Sequence, residues 1–334
     1  MSFSKVRVIA GLLAAGVMAA SGLAGEPAGT QVYSVPADPT MPVVAGDGVC
    51  ASGGGRTGEE TPQDLTLWNF FSAGWDEDFT RRSSEGRAPD MALLRVQTNF
   101  MEREVRVNYF HQHNINNARR ENLDDFDVLI AYGLNRRFMI ELVGAQQWVD
   151  ARDKIPDFDG ATARLVGRTQ LISTADSSYS FNYQVTAPNR GLGEKQTTIS
   201  YGIAGFEDLT RFGLYRVGLY GSVLFDSFAG PHAVGARLDD VQYVITLAKT
   251  FTDPKTPFIG NLTLFVENFF QTDLDGAHSG TTLVSITPGV RFNLGTLPNL
   301  KFGIDNWLMF GVDIPVSGPR PWDATFRFTY IKNF

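Results

Sequence analysis

Beyond about residue 92, apolar and polar residues alternate with a period of two, and turn signals interrupt the alternation repeatedly. Tyr179, Phe181 and Tyr183, for example, alternate with Ser180 and Asn182. Because successive side chains of a strand point to opposite faces, each such run predicts a β-strand with one apolar and one polar face.

The alternating runs lie at about 93–111, 126–134, 137–149, 161–174, 179–186, 198–203, 215–225, 240–247, 260–272, 284–292, 301–314 and 325–330. The first run changes its apolar phase between Phe100 and Val105, so it predicts either one bulged strand or two short strands. Bacterial single-chain barrels have even strand numbers. The pattern therefore predicts an all-β chain of about twelve strands, with ten or fourteen as alternatives.

The direction of the apolar face follows from the size of the sheet. A closed barrel fills its interior with side chains at about eight strands, so twelve strands with apolar residues inside would enclose an apolar void. Apolar residues on the outside would instead meet lipid and leave a polar lumen. The prediction is a transmembrane, up-and-down, antiparallel β-barrel. A soluble sandwich or propeller is the alternative, and no internal repeat supports propeller blades.

The chain before the barrel divides into three parts. Residues 1–24 have the basic start, apolar run and small-residue end of an export signal. Residues 25–64 are rich in glycine and proline and predict a flexible lead. Residues 65–91 predict a short helical or irregular segment, serving as a plug or a rim element, because an apolar helix-like spacing ends at a glycine. The barrel is then expected at 92–334.

The polar faces carry charged residues of both signs. The predicted lumen-facing residues are Glu141, Arg164, Arg168, Arg216, Asp226, Asp240, Glu267, Arg291, Lys301, Asp305, Asp313 and Arg327. Because basic and acidic residues balance, they predict no strong ion selectivity. They could pair across strands as a structural network or line a conduit for polar solutes. Inward Phe265, Phe269 and Trp307 could form apolar patches along a route for an apolar molecule.

Overall charge and the reactive side chains limit the function classes. The formal charge of -7 argues against a nucleic-acid binder, which should be basic. The single cysteine, Cys50, excludes an internal disulfide framework. His232 and His278 leave open a hydrolase site on the rim, but we predict no enzyme activity and no catalytic, metal or cofactor-binding residue.

Two stretches near the end of the chain carry a family resemblance. The sequence ITPGVRFNLG at 286–295 and GVDIPVSGPR at 311–320 resemble the outer-membrane transporter proteins of the MetA-pathway of phenol degradation family. The similarity extends over about 125–334, and the segments 70–77, 94–96 and 102–104 are similar to the N-terminal part of uncharacterised relatives. The resemblance implies an outer-membrane barrel linked by name to uptake of aromatic or hydrophobic compounds, and it implies no site residues.

Together these features predict a channel or transporter of the bacterial outer membrane for small solutes, including aromatic or hydrophobic ones. The alternative is a plugged structural or interaction barrel without transport, and a rim hydrolase is a minor alternative. The expected partners are the lipid of the outer membrane, the small solutes, and the outer-membrane assembly machinery, which would recognise the C-terminal Phe334. No nucleic acid is expected.

Overall fold

The structure is a computed structural model that describes residues 63–79, 86–115, 121–151, 157–187, 197–229, 239–275, 279–296, 305–318 and 322–334. The predicted export signal and most of the predicted flexible lead lie outside these residues.

The described chain forms twelve antiparallel strands in one closed barrel. The strands are β1 Arg103–Ile115, β2 Glu121–Gly133, β3 Phe138–Ala151, β4 Asp157–Ser173, β5 Ser177–Thr186, β6 Thr197–Asp208, β7 Val217–Ala229, β8 Asp239–Thr250, β9 Gly260–Asp273, β10 Thr282–Asn293, β11 Asn306–Ser317 and β12 Ala324–Asn333. Each strand pairs with its neighbours in sequence, and β1 pairs with β12 to close the sheet. The predicted fold class and the predicted count of about twelve strands are confirmed.

One end of the barrel, here called the terminal end, is where β1 begins and β12 ends. The β6–β7 connection at this end contains a single turn of 3-10 helix, Leu209–Phe212, whose first turn is capped by the Asp208 side chain. Gly213 ends the turn with a φ of 84°, a conformation that favours glycine. In the part of the chain that the structure describes, no helix has the length and apolar character of a membrane span.

The outer face of the barrel is apolar. Tyr183, Ile245 and Phe310, chosen from three separate strands, are 38%, 52% and 42% exposed. The same face carries further exposed apolar side chains, including Ile130, Leu142, Leu165, Phe181, Ile203, Leu247, Leu264, Val266, Ile314 and Phe326. The opposite face is buried and largely polar. A continuous apolar exterior of this kind is stable against hydrocarbon rather than against water.

The structure departs from the predicted strands at two places. The first alternating run enters the wall only at Arg103, and residues 86–102 lie inside the barrel without regular secondary structure. The change of apolar phase near Phe100 marks the point where the chain leaves the lumen for the wall. The run expected from residue 301 begins as β11 only at Asn306.

The segment before the lumen is built of turns. Residues 67–77 contain turns and bends where a short amphipathic helix was one expectation. Leu65 forms an isolated antiparallel bridge with Ser173 at the end of β4, which attaches the segment to the barrel wall. We call residues 64–77 the rim segment and residues 86–102 the inner segment.

Candidate functional site

The inner segment occupies the lumen from the terminal end to beyond the middle of the strands. It makes hydrogen bonds to residues of β4, β5, β7, β9, β10 and β11, that is, to wall strands on several sides. Its backbone bonds are made to side chains as well as to main chain, so it is not an extra strand. A barrel of twelve strands is too wide to be filled by its own side chains, and this segment supplies the missing volume.

Arg95 is the centre of the contacts between the inner segment and the wall. Its guanidinium forms a buried ion pair with Asp313 of β11, which also accepts a hydrogen bond from Arg327 at 3.3 Å. The guanidinium carbon lies 3.5 Å from the centroid of the Phe269 ring, a cation–π contact. The Glu267 carboxylate accepts hydrogen bonds from the backbone N–H groups of Arg95 and Val96, each at 3.1 Å.

A second group of charges lies where the inner segment joins β1. Arg168 donates to the Phe100 carbonyl at 3.0 Å and lies 3.7 Å from Glu102 and 3.5 Å from Glu141. Arg106 pairs with Glu104 at 2.6 Å on the same strand. These side chains are almost completely buried, so each charge depends on its partners rather than on water.

The other side of the inner segment is apolar. Met91, Leu93 and Val96 pack against a stripe of wall residues that share the lumen side of β6 to β10. The stripe consists of Phe206, Tyr220, Val244, Ala248, Phe265, Phe269 and Leu283. The lumen wall is thus polar on one side and apolar on the other, and the inner segment covers both.

Arg291 and Trp307 hold the first part of the inner segment. Arg291 donates to the Ala92 carbonyl at 2.6 Å, and its guanidinium carbon lies 4.0 Å from the centroid of the Trp307 ring. Ala92 packs with Trp307, Met309 and the neighbouring apolar residues of β11 and β12. The Trp307 ring is therefore buried between the Arg291 guanidinium and an apolar cluster.

A cavity of about 280 Å³ lies between the inner segment and the terminal end of the barrel. Its lining includes the apolar side chains of Met91, Phe100 and Trp307 and the charged side chains of Arg87 and Asp90. This volume and this mixed lining suit a small amphipathic molecule.

The twelve predicted lumen residues take different places in the structure. Eight are buried in the barrel: Glu141, Arg168, Arg216, Asp226, Asp240, Glu267, Arg291 and Asp313. Arg164 and Arg327 are half-buried. Arg216 lies at the terminal end, in the turn before β7, where it pairs with Asp253 at 3.0 Å.

Asp305 and Lys301 are the remaining two of the twelve residues. The prediction for Asp305 is corrected: it is exposed in the turn before β11, because the alternation of the strand does not extend to this position. Lys301 lies outside the described residues. Inward Phe265, Phe269 and Trp307 are buried, and the inner segment covers them.

The sequence reasoning missed the charges of the inner segment and of β1. Arg95, Glu102, Glu104 and Arg106 were not assigned to the lumen, although they form both ion-pair groups. The alternation of Glu102, Glu104 and Arg106 with apolar Val105 was the available signal. Arg95, in an irregular segment, offered none.

The rim segment is attached to the barrel through the β2–β3 turn. Arg137 is fully buried and donates hydrogen bonds to the carbonyls of Thr66, Asn69 and Ala73, as well as to those of Gln170 and Leu171. The adjacent Arg136 forms an ion pair with Glu77. A single turn of the wall therefore holds fourteen residues of the preceding chain in place.

Acidification should loosen the rim segment through Glu77. Burial favours a higher pKa for Glu77, but hydrogen bonds from Arg136 and the Gly74 N–H outweigh it and leave the pKa below its ordinary value. The ionised Glu77 carboxylate therefore stabilises the attachment above about pH 4. This stabilisation is lost as the pH falls through the pKa of Glu77 in the folded protein. Glu77 is partly exposed, so we expect a small effect, within the roughly 0–1 kcal/mol of a surface ion pair.

Hydrogen exchange of the rim-segment amides measures this effect. At pH 7 the native protein should be more protected than Glu77→Gln, and the difference should vanish towards pH 3. A difference that does not change with pH would contradict the assignment.

A metal or catalytic site would depend on histidine and acidic side chains that lie close together. No group of three or more His, Cys, Asp or Glu side chains that could hold a metal lies within the described residues. His111 contacts Asp124 at 2.8 Å on the outer face of the barrel. His232 and His278, the residues of the hydrolase alternative, lie outside the described residues.

Comparisons with known proteins concern the fold. No protein-family model matches the chain, and a comparison with curated protein sequences finds no match. The solved structures that it resembles include an outer membrane channel from Pseudomonas putida F1, with 13% identity, a TM-score of 0.48, and coverage of 76% of this chain and 100% of that chain. The KdgM porin, in complex with disordered oligogalacturonate, has 12% identity and a TM-score of 0.39 over 69% of this chain and 99% of its own. The translocator domain of the autotransporter NalP from Neisseria meningitidis has 11% identity and a TM-score of 0.40 over 72% of this chain and 90% of its own.

The location of the protein follows from its own surface. Every strand of the closed barrel is paired on both sides, which satisfies the backbone in hydrocarbon, and the outer face is apolar. A closed antiparallel barrel with an apolar exterior and a polar interior is the form in which β-structure spans the bacterial outer membrane. The chain is a β-barrel of that membrane.

Proposed function

We propose that the protein is a channel for small solutes, closed by its own inner segment. The observation that carries this proposal is the way in which the lumen is filled. The wall forms a complete barrel with β1 to β12, and the inner segment inside it is held by side-chain contacts without strand pairing. Because the inner segment is not paired as a strand, it can leave the lumen without disrupting the sheet.

The proposed solutes are small and include aromatic or hydrophobic ones. If the inner segment moves away, the apolar stripe of β6 to β10 faces the lumen opposite the charged side. A solute with one aromatic ring and polar groups would match both sides, and the mixed cavity at the terminal end would receive it. The resemblance to the phenol-degradation transporter family supports the same solute class.

A plugged barrel without transport is the second candidate, and the packing of the inner segment favours it. The buried Arg95–Asp313 ion pair and the apolar contacts of Met91, Leu93 and Val96 hold the segment on both sides. The two candidates differ in one respect: a channel must pass solutes at a measurable rate in its native form, and a plugged barrel must not.

Solute flux into proteoliposomes distinguishes the candidates. Phenyl glucoside and a disaccharide of similar size are both neutral and differ in the aromatic ring. Since aromatic contacts contribute about 0.5–1.5 kcal/mol, the native protein should pass phenyl glucoside roughly two to ten times faster. If neither solute crosses in the native protein while both cross after removal of the inner segment, the plugged barrel is correct. If neither crosses in either protein, the channel proposal fails.

A further inference from the structure

The rim segment presents large apolar side chains to the outside of the protein. Trp68 is 99% exposed, Phe71 is 92% exposed and Leu67 is 55% exposed. Single exposed apolar residues are common on proteins, but three such side chains within five positions form a patch. A patch of this composition is typical of an interaction surface.

The patch is held in a fixed position. Thr66 donates its backbone N–H to the Asn69 side chain at 2.8 Å, and Asn69 donates to the Asp64 carbonyl at 2.9 Å. Phe70 packs edge-on against Phe71, with ring centroids 5.1 Å apart. The buried Arg137 binds the backbone of the same turn. The wall of the barrel therefore orients the segment that carries the exposed side chains. The conformational entropy of this segment is lost when the protein folds and not when it binds a partner.

The patch lies at the terminal end of the barrel, where the outer surface also carries exposed apolar side chains. It is attached directly to the β2–β3 turn, where Tyr132 and Leu134 are exposed. The β6–β7 and β8–β9 turns of the same end carry exposed apolar side chains of the same kind: Phe212, Leu214, Tyr215, Phe251, Phe258 and Ile259. Belts of aromatic residues at the ends of membrane barrels lie at the boundary between lipid and water.

We propose that Leu67, Trp68 and Phe71 insert into the interfacial region of the bilayer at the terminal end and make the rim segment a lipid-bound anchor. The attraction is hydrophobic, because residues 63–79 contain no lysine or arginine and several acidic residues. The matching partner is a zwitterionic phospholipid interface rather than an anionic lipid headgroup. The anchor is independent of the proposed channel function.

Single-cysteine labelling tests the anchor in the intact protein. In a Cys50→Ser background, an environment-sensitive fluorophore is attached at Trp68→Cys or at Leu67→Cys, and the protein is reconstituted in phosphatidylcholine vesicles. The Leu67→Cys variant keeps both aromatic residues. Leu142→Cys, on the exposed outer face of β3, is the lipid control, and Asp305→Cys, exposed in the turn before β11 at the same end, is the water control.

The proposal predicts that lipid-borne nitroxides near the headgroups quench positions 67 and 68 several times more strongly than position 305. Aqueous iodide should quench positions 67 and 68 several times less than position 305. If iodide reaches positions 67 and 68 as readily as position 305, the patch faces water, as a docking surface for a soluble protein would, and the proposal is wrong. If neither quencher reaches them and cross-linking detects dimers, a second copy covers the patch, and the proposal is also wrong.

Discussion

Deletion of residues 63–102, so that the chain enters β1 directly at Arg103, should convert a closed barrel into a permanently open pore. The wall keeps all twelve strands, because the deleted residues contribute only the single bridge of Leu65 to the sheet. The lumen loses the segment that fills it, and a barrel of this width then encloses water. Planar-bilayer recordings should show a steady conductance that is roughly tenfold or more above that of the native protein.

A smaller deletion is the matched control for this experiment. Removal of residues 63–79 takes away the rim segment but keeps the inner segment, so the conductance should stay close to the native level. The heat-dependent gel mobility of folded barrels shows whether each variant has closed its sheet. Equal conductance in the native protein and in the folded 63–102 deletion would contradict the assignment of residues 86–102 as the closure.

Replacement of Arg95 by methionine should open the channel without removing any part of the chain. Methionine keeps much of the side-chain volume and can pack on Phe269, but it leaves Asp313 without its partner from the inner segment. Leaving a buried charge without any partner costs about 3–5 kcal/mol, and Arg327 still contacts Asp313, so we expect roughly half of that cost. Since about 1.4 kcal/mol corresponds to a factor of ten, the ratio of open to closed channels should rise roughly tenfold or more.

Arg87→Met is the control for the Arg95 substitution. Arg87 lies on the same inner segment and pairs with Asp176, but both side chains are about 40% exposed. An exposed pair contributes only about 0–1 kcal/mol, so this variant should remain closed in single-channel recordings. If Arg95→Met is as closed as Arg87→Met, the Arg95 cluster does not hold the segment.

The barrel could be predicted from the sequence because each strand has a local alternation of apolar and polar residues. The alternation at Tyr179 to Tyr183 shows which side of β5 meets lipid, and the neighbouring strands repeat the pattern. The number of strands and the direction of the apolar face follow from these local patterns and from the size of the barrel. The start of β1 could not be placed in the same way, since Leu94 and Val96, separated by Arg95, imitate the alternation of a strand.

The sequence predicts a plug or rim element at residues 65–91, but the contacts that hold the inner segment could not be predicted, because they join distant parts of the chain. Arg95 and Asp313 are 218 positions apart, and no local pattern indicates that they meet. The inner segment also has an irregular backbone, so no repeating pattern of apolar residues indicates where its side chains lie. The balanced charges of the predicted lumen did indicate ion pairing, but the partners of Glu267 and Asp313 come from the inner segment as well as from the wall.

A disulfide between the inner segment and the wall tests most directly whether residues 86–102 fill the lumen. A Cβ atom at Gly311 of β11 would touch the Leu94 side chain, so Leu94→Cys and Gly311→Cys in a Cys50→Ser background should cross-link on mild oxidation. Leu94→Cys with Ser317→Cys, six residues further along β11 and roughly 20 Å away, should not. The cross-linked protein should form in high yield and stay closed until it is reduced. Free, reagent-accessible thiols at positions 94 and 311 in the folded barrel would contradict it.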